Sequence, residues 1–140
     1  MITNRVEYLL LILLDLSEHK TPGYVLSREV AERQGIPSKY MPQLMAVLTR
    51  KGWVDSVRGA RGGVRLATDP KDITVKDVIE AAGERFLVKP CVDDGFPCSR
   101  KDRCVLRPVW TEAQDQVDRV MGGVTLAALI ESQDRKNEGR

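Results

Sequence analysis

Three cysteines, Cys91, Cys98 and Cys104, fall within fourteen positions as C-x6-C-x5-C, and the sequence contains no others. Thiolate is a soft donor, and three on one short loop can wrap an iron–sulfur cluster. Zinc knuckles use more closely spaced cysteine pairs. The odd count, confined to one segment, is also unlike the even and dispersed set of a secreted disulfide scaffold. The neighbours Asp93, Asp94, Ser99, Arg100 and Lys101 are polar, so three unligated thiols there would be left exposed and reactive. A bound metal or cluster is the first expectation. A metal-free thiol switch, in which oxidation joins two of the cysteines, is the alternative, and an electron-transfer or cluster-carrier protein is a third.

A second feature bears on that choice. The formal net charge is only +2, but between Ser27 and Ala67 eight basic residues (Arg28, Arg33, Lys39, Arg50, Lys51, Arg58, Arg61, Arg65) face three acidic ones (Glu29, Glu32, Asp55). That segment is +5 and the rest of the chain −3. A local basic stretch on a weakly charged protein points to a polyanion-binding face, which a carrier of clusters or electrons would not need. No pair of catalytic acid and base, phosphate-binding glycine loop or catalytic triad suggests an enzyme. No apolar run reaches the roughly 18–20 residues of a membrane span. The apolar stretch Tyr8 to Leu14 ends at Asp15 without a cleavage pattern, so a cytoplasmic location is expected.

The elements that must position these groups can be traced along the chain. Asn4 to Leu16 reads as a buried helix, and Pro22 and Gly23 break the chain after it. Ser27 is placed to cap a second helix running to about Gln34, which Gly35 ends. Ile36-Pro37 forces an extended step. Ser38 then reads as the cap of a third helix, whose apolar Met41, Leu44, Met45 and Leu48 follow the helical period up to Gly52. Pro42 conflicts with that cap, because it removes the first intrahelical amide bond.

Two helices joined by a glycine turn fit a helix-turn-helix. Next come two short alternating stretches, Trp53 to Val57 and Val64 to Ala67, around Arg58-Gly59-Ala60-Arg61-Gly62-Gly63. That pattern is a hairpin with arginines at its tip, a wing suited to the minor groove. Thr74 and Asp77 make an approximate capping box for a helix to Ala82. Lys89 to Arg103 is a loop. From Val105 a long amphipathic helix begins, with Leu106, Trp110, Ala113, Val117 and Val120 in a heptad seam that calls for a partner helix. Gly122-Gly123 stops it, Thr125 caps a final short helix, and the tail from Ser132 frays. Trp53 is assigned to the core and Trp110 to the seam. His19, the only histidine, is read as a solvated loop residue.

The wing Ser56 to Ala67, the preceding Ile36-Pro37, Tyr40-Met41 and Leu44, and the following Ile73-Thr74-Val75 and Val78-Ile79 resemble the Rrf family of bacterial transcription regulators. The resemblance covers about Met1 to Ser132. The three cysteines match its cluster-binding branch, with its IscR-, NsrR- and RirA-like members. The resemblance implies a homodimer with a long crossed helix, bound to a two-fold-symmetric DNA operator and acting as a repressor. The implied signal is nitric oxide, redox state or the supply of iron and clusters. IscR-like members complete the ligand set with a histidine shortly after the last cysteine. The equivalent residue here is Arg107, which cannot ligate. NsrR-like members use a carboxylate from the first helix of the other subunit. Aligning Thr3 with the family's N-terminal threonine puts Glu7 at that place. The ligand pattern is therefore closest to the NsrR-like one, and a 4Fe–4S cluster is favoured over 2Fe–2S.

A recognition helix presents its first turns to base edges, so Ser38, Lys39, Tyr40 and Gln43 are the base-reading candidates. Arg58 and Arg61 are assigned to the minor groove, and Arg28, Lys51 and Arg65 to phosphates. The expected fold is mainly α with a small β wing. It comprises a winged helix-turn-helix domain at 1–83, a cluster-binding loop at 84–104, a dimerisation helix and short C-terminal helix at 105–132, and a flexible tail at 133–140.

Overall fold

A computed structural model describes residues 1–19 and 23–140. Pro22, expected to break the chain, lies outside the described residues. The fold is mostly helical, with one two-stranded antiparallel sheet. In chain order the elements are α1 (Asn4–Glu18), α2 (Ser27–Gln34), α3 (Met41–Arg50), β1 (Val54–Val57), β2 (Gly63–Leu66), α4 (Val75–Ala81), α5 (Arg107–Gly123) and α6 (Leu126–Glu138). Short 3-10 turns at Ser38–Tyr40, Pro70–Asp72 and Pro90–Val92 connect them.

α1 is the central helix. Val6, Leu9, Ile12 and Leu13 are completely buried, and α1 meets α2, α3, β2, α4 and α6. Each such side chain stabilises the fold by about 1.5–3 kcal/mol relative to leaving it in water. Val30, Leu48, Val54, Ile73, Val78 and Leu126 extend this core from the other elements. Trp53 is 8% exposed and belongs to this core, as expected.

Among the described residues one charged group penetrates the core. Asp15 on α1 has a fully buried side chain. Arg33 of α2 donates from Nε and Nη2 to its two oxygens at 3.0 and 2.7 Å, and Gln34 Nε2 donates at 2.8 Å. The fork geometry is bidentate. Burial pushes the Asp15 carboxyl up, but the hydrogen bonds from Arg33 and Gln34 and the nearby positive charges outweigh it, so its pKa is lowered. This contact locks α2 against α1. His19, whose side chain is 39% exposed, also caps the C-terminus of α1, with Nδ1 2.8 Å from the Asp15 carbonyl oxygen.

Several boundaries differ from expectation. Ser27 is the first residue of α2 and makes no capping bond; Leu26 occupies the cap position. Ser38 opens a 3-10 turn and does not cap α3, whose own cap position is Tyr40. Pro42 is the reason: with no N–H it sits comfortably only in the first helical turn, so the helix starts at Met41. α5 begins at Arg107, not Val105, and runs through Gly123. The tail expected to fray is helical to Glu138, and Asn137 Nδ2 donates to Glu18 at 3.4 Å. The capping box of Thr74 and Asp77 is present as expected, as is the Thr125 cap.

The wing is fastened to the body by an isolated bridge at Val25. Val25 and Val64 exchange backbone hydrogen bonds of 2.8 and 2.7 Å. Gly63 makes that approach possible: its φ is +145°, and a Cβ there would lie 2.4 Å from the Val25 carbonyl oxygen. Gly63→Ala is therefore expected to lower stability by about 1–3 kcal/mol, as the strained dihedral and the backbone clash force the hairpin off Val25. Thermal unfolding checks the loss, and DNA affinity should fall with it. An unchanged melting temperature would mean that the hairpin can yield without cost.

Candidate functional site: a DNA-binding face and a cysteine loop

The Ser38–Tyr40 turn and the first turns of α3 stand out from the body. Ser38, Lys39, Tyr40 and Gln43 are all exposed, while Met41 and Leu44 anchor the helix in the core. Tyr40 is half committed to the interior. It is 42% exposed and stacks on Tyr8 of α1, with ring centroids 6.2 Å apart; Lys39 Nζ lies 5.1 Å from the Tyr40 ring centroid. The first turn of the recognition helix is thus propped by α1.

Two grooves run along α3. One is lined by Ser38, Met41, Pro42 and Met45 with Arg28 from α2 and Ser56 and Val64 from the wing. The other is lined by Tyr40, Gln43 and Leu44 with Arg5 and Tyr8 from α1. The structure brings Arg28, expected at a phosphate, and Ser38, expected at a base edge, to the same groove. It also adds Arg5, which sequence reasoning missed because Arg5 lies outside the basic segment.

At the wing tip Arg58 and Arg61 are exposed, and among the described residues neither has an ion pair or hydrogen bond. Gly62 shapes the tip: a Cβ there would sit 2.2 Å from the Val57 carbonyl oxygen. Arg65 is less free. It faces Asp55 across the hairpin at 3.5 Å and lies over the Tyr24 ring, 4.7 Å from the centroid. Lys51 lies 5.6 Å from the Trp53 ring centroid, at the end of α3.

The cysteine loop joins α4 to α5, and its first part is clamped to α5. Buried Gln114 of α5 accepts from the Val88 amide and donates to the Phe86 carbonyl, both at 2.8 Å. Arg107 donates to the Cys91 carbonyl at 3.1 Å and to Asp94 at 2.9 Å. Arg85 pairs with Asp93 at 2.7 Å. Arg107, excluded as a ligand by its chemistry, is thus a clamp that ties the first cysteine to α5. Gln114 was also missed; its only sequence signal is a neutral amide between the seam residues Ala113 and Val117.

No disulfide joins the three thiols. Cys91 and Cys104 are half-buried and Cys98 is exposed. Among the described residues no three His, Cys, Asp or Glu side chains converge on a metal-sized point. The donor chemistry suits iron and sulfide, and Arg100, Lys101, Arg103 and Arg107 supply positive charge close by. Glu7 is an exposed residue in the first turn of α1. Below that turn, Thr3 Oγ1 donates to the Glu84 carboxylate at 2.7 Å, which joins the start of α1 to the root of the cysteine loop.

A helix-turn-helix whose exposed helix is followed by a cationic hairpin defines a winged-helix DNA-binding protein. The chain belongs to the Rrf2 family: residues 2–132 match the family described as an iron-dependent transcriptional regulator. It is 36% identical over 129 residues to the protein rrf2 of Nitratidesulfovibrio vulgaris, covering 92% of this chain and 86% of that protein. It is 34% identical over 133 residues to the HTH-type transcriptional regulator IscR of Serratia proteamaculans, covering 95% and 80%. Among solved structures it resembles T. potens IscR, with a TM-score of 0.72 and 32% identity over 95% of this chain and 88% of that one. CymR, described as the global cysteine regulator of B. subtilis, has a TM-score of 0.75 and 26% identity, covering 94% and 97%. The family and these relatives are transcription regulators, not enzymes. No helix among the described residues is long and apolar enough to cross a membrane.

Proposed function

We propose that this protein is a cytoplasmic, homodimeric repressor whose affinity for a two-fold DNA operator is set by an iron–sulfur cluster on Cys91, Cys98 and Cys104. The observation that carries this reading is the one loop that bears all three thiols, its first part held to α5 by Gln114 and Arg107 and to the start of α1 by the Glu84–Thr3 contact. The partner subunit's Glu7 is assigned the fourth ligand position, with 4Fe–4S favoured over 2Fe–2S. A bound cluster would supply a centre that reacts with oxygen or nitric oxide, one of its irons held by a harder, weaker carboxylate ligand.

The chain's own residues provide the handle on DNA. Arg107 and Gln114 hold the loop to α5, and Glu84 holds the N-terminus of α1 through Thr3. α1 in turn supports Tyr40 through Tyr8. A change in the loop is thereby linked to the spacing of the recognition helices. A second copy of the chain is supported by Leu106 at the cap of α5 and Val109 and Val120 along it, which are 55–59% exposed. An apolar strip of that kind is seldom left open to water.

The experiment is anaerobic purification followed by DNA titration of holo and apo forms, wild type and Glu7→Ala. Wild type is expected to be coloured, to give a Mössbauer spectrum of clustered iron, and to differ between forms by about 5–150-fold in affinity. Glu7→Ala should keep a cluster but narrow that difference. An unchanged difference and spectrum would make Glu7 a surface charge. The exposed Cys98 favours one rival, a metal-free thiol switch, which predicts colourless protein whose DNA binding follows thiol oxidation.

A further inference from the structure

We propose that Arg5 is a phosphate-binding residue of the DNA interface, seating the strand on the side of α3 away from the wing. The proposal rests on the DNA-binding reading of α3 and the wing, and it deepens that reading. Lys39 of the 3-10 turn and Gln43 and Ala46 of α3 are all exposed and form the outward strip of the recognition segment. The two grooves flank this strip. On one side Arg28 shares a groove with Ser38, Pro42 and the wing residue Ser56. On the other side Arg5 shares a groove with Gln43, Tyr40 and Tyr8.

A helix lying in the major groove has a phosphate backbone along each of its flanks. The wing side is well supplied with cations: Arg28, Arg58, Arg61 and Arg65. On the α1 side, Arg5 lines the groove beside Gln43. It is exposed and, among the described residues, makes no ion pair or hydrogen bond. The rings of Tyr8 and Tyr40 offer an apolar bed for its alkyl stem, leaving the guanidinium at the rim. A guanidinium there suits a bidentate contact to one phosphate. Such a contact fixes the register of the helix without reading a base.

The test uses a duplex selected by wild-type protein from a random pool and an unrelated duplex of the same length. Arg5→Ala should weaken binding to both by about tenfold and flatten the slope of log affinity against log salt by about one per half-site. Circular dichroism should be unchanged, because the residue is exposed. Arg5→Lys should keep the slope. An Arg5→Ala protein with wild-type affinity and slope, alongside an Arg58→Ala protein that has lost affinity, overturns the proposal and leaves the DNA interface standing. Loss confined to the selected duplex with an unchanged slope also overturns it, since that is the mark of a base contact. Wild-type protein that enriches no duplex from the pool and does not bind the unrelated one overturns the proposal together with the reading beneath it.

Discussion

Asp15→Ala is expected to destabilise the protein by about 3 kcal/mol, because it strands the guanidinium of Arg33 and the amide of Gln34 against the core. The figure is taken at the low end of the range for broken buried pairs, since the Arg33 side chain is itself 33% exposed. Urea unfolding checks it: the midpoint should drop with little change in slope. The same contact sets an acid limit. The pKa of Asp15 is lowered in the folded state, so its contribution is fully present above the ordinary aspartate pKa near 4. It is lost as pH falls through the lowered folded value. Wild-type stability should therefore decline in acid through this group, and the Asp15→Ala protein should show a shallower decline. Equal stabilities at pH 7 would show that α2 is held to α1 by apolar packing alone.

Arg58→Ala combined with Arg61→Ala is expected to reduce operator affinity by about 100-fold or more while leaving the melting temperature within error. Each groove-inserted arginine contributes on the order of 1–3 kcal/mol, and about 2.8 kcal/mol corresponds to 100-fold. Neither side chain is bonded to the described body of the protein, so the fold has nothing to lose. This separates the pair from Gly63→Ala, which acts on the hairpin itself and should lower stability and binding together. Unchanged affinity in the double variant would remove the wing from the interface.

Much of this arrangement was legible in the sequence. Apolar spacing located α1 and α3, Gly35 and Gly52 marked helix ends, and the run from Arg58 to Gly63 could only be a tight cationic hairpin. Those signals are local. A 3.6-residue period, a positive φ or a proline's missing N–H act within a few residues of themselves. Where two local signals competed, the reading went astray at the boundary. Ser38 looked like a cap, but Pro42 four residues on is compatible only with a helix that starts later. The polar tail read as frayed because its composition gives no sign of a surface to lie on. It is helical to Glu138 because α6 folds back onto α1.

The sequence by itself determined the winged-helix class, the clustering of positive charge on one segment and the soft-donor chemistry of Cys91, Cys98 and Cys104. All of these follow from residue type and short-range spacing. Tertiary structure decided which distant groups meet: Asp15 with Arg33, Thr3 with Glu84, Tyr8 with Tyr40, Arg107 with the Cys91 carbonyl, and Arg5 with the groove beside Gln43. Each pair joins different elements of the chain, and no local dihedral preference or periodicity encodes such a meeting. It depends on how the buried face of α1 packs, and packing is a property of the whole core.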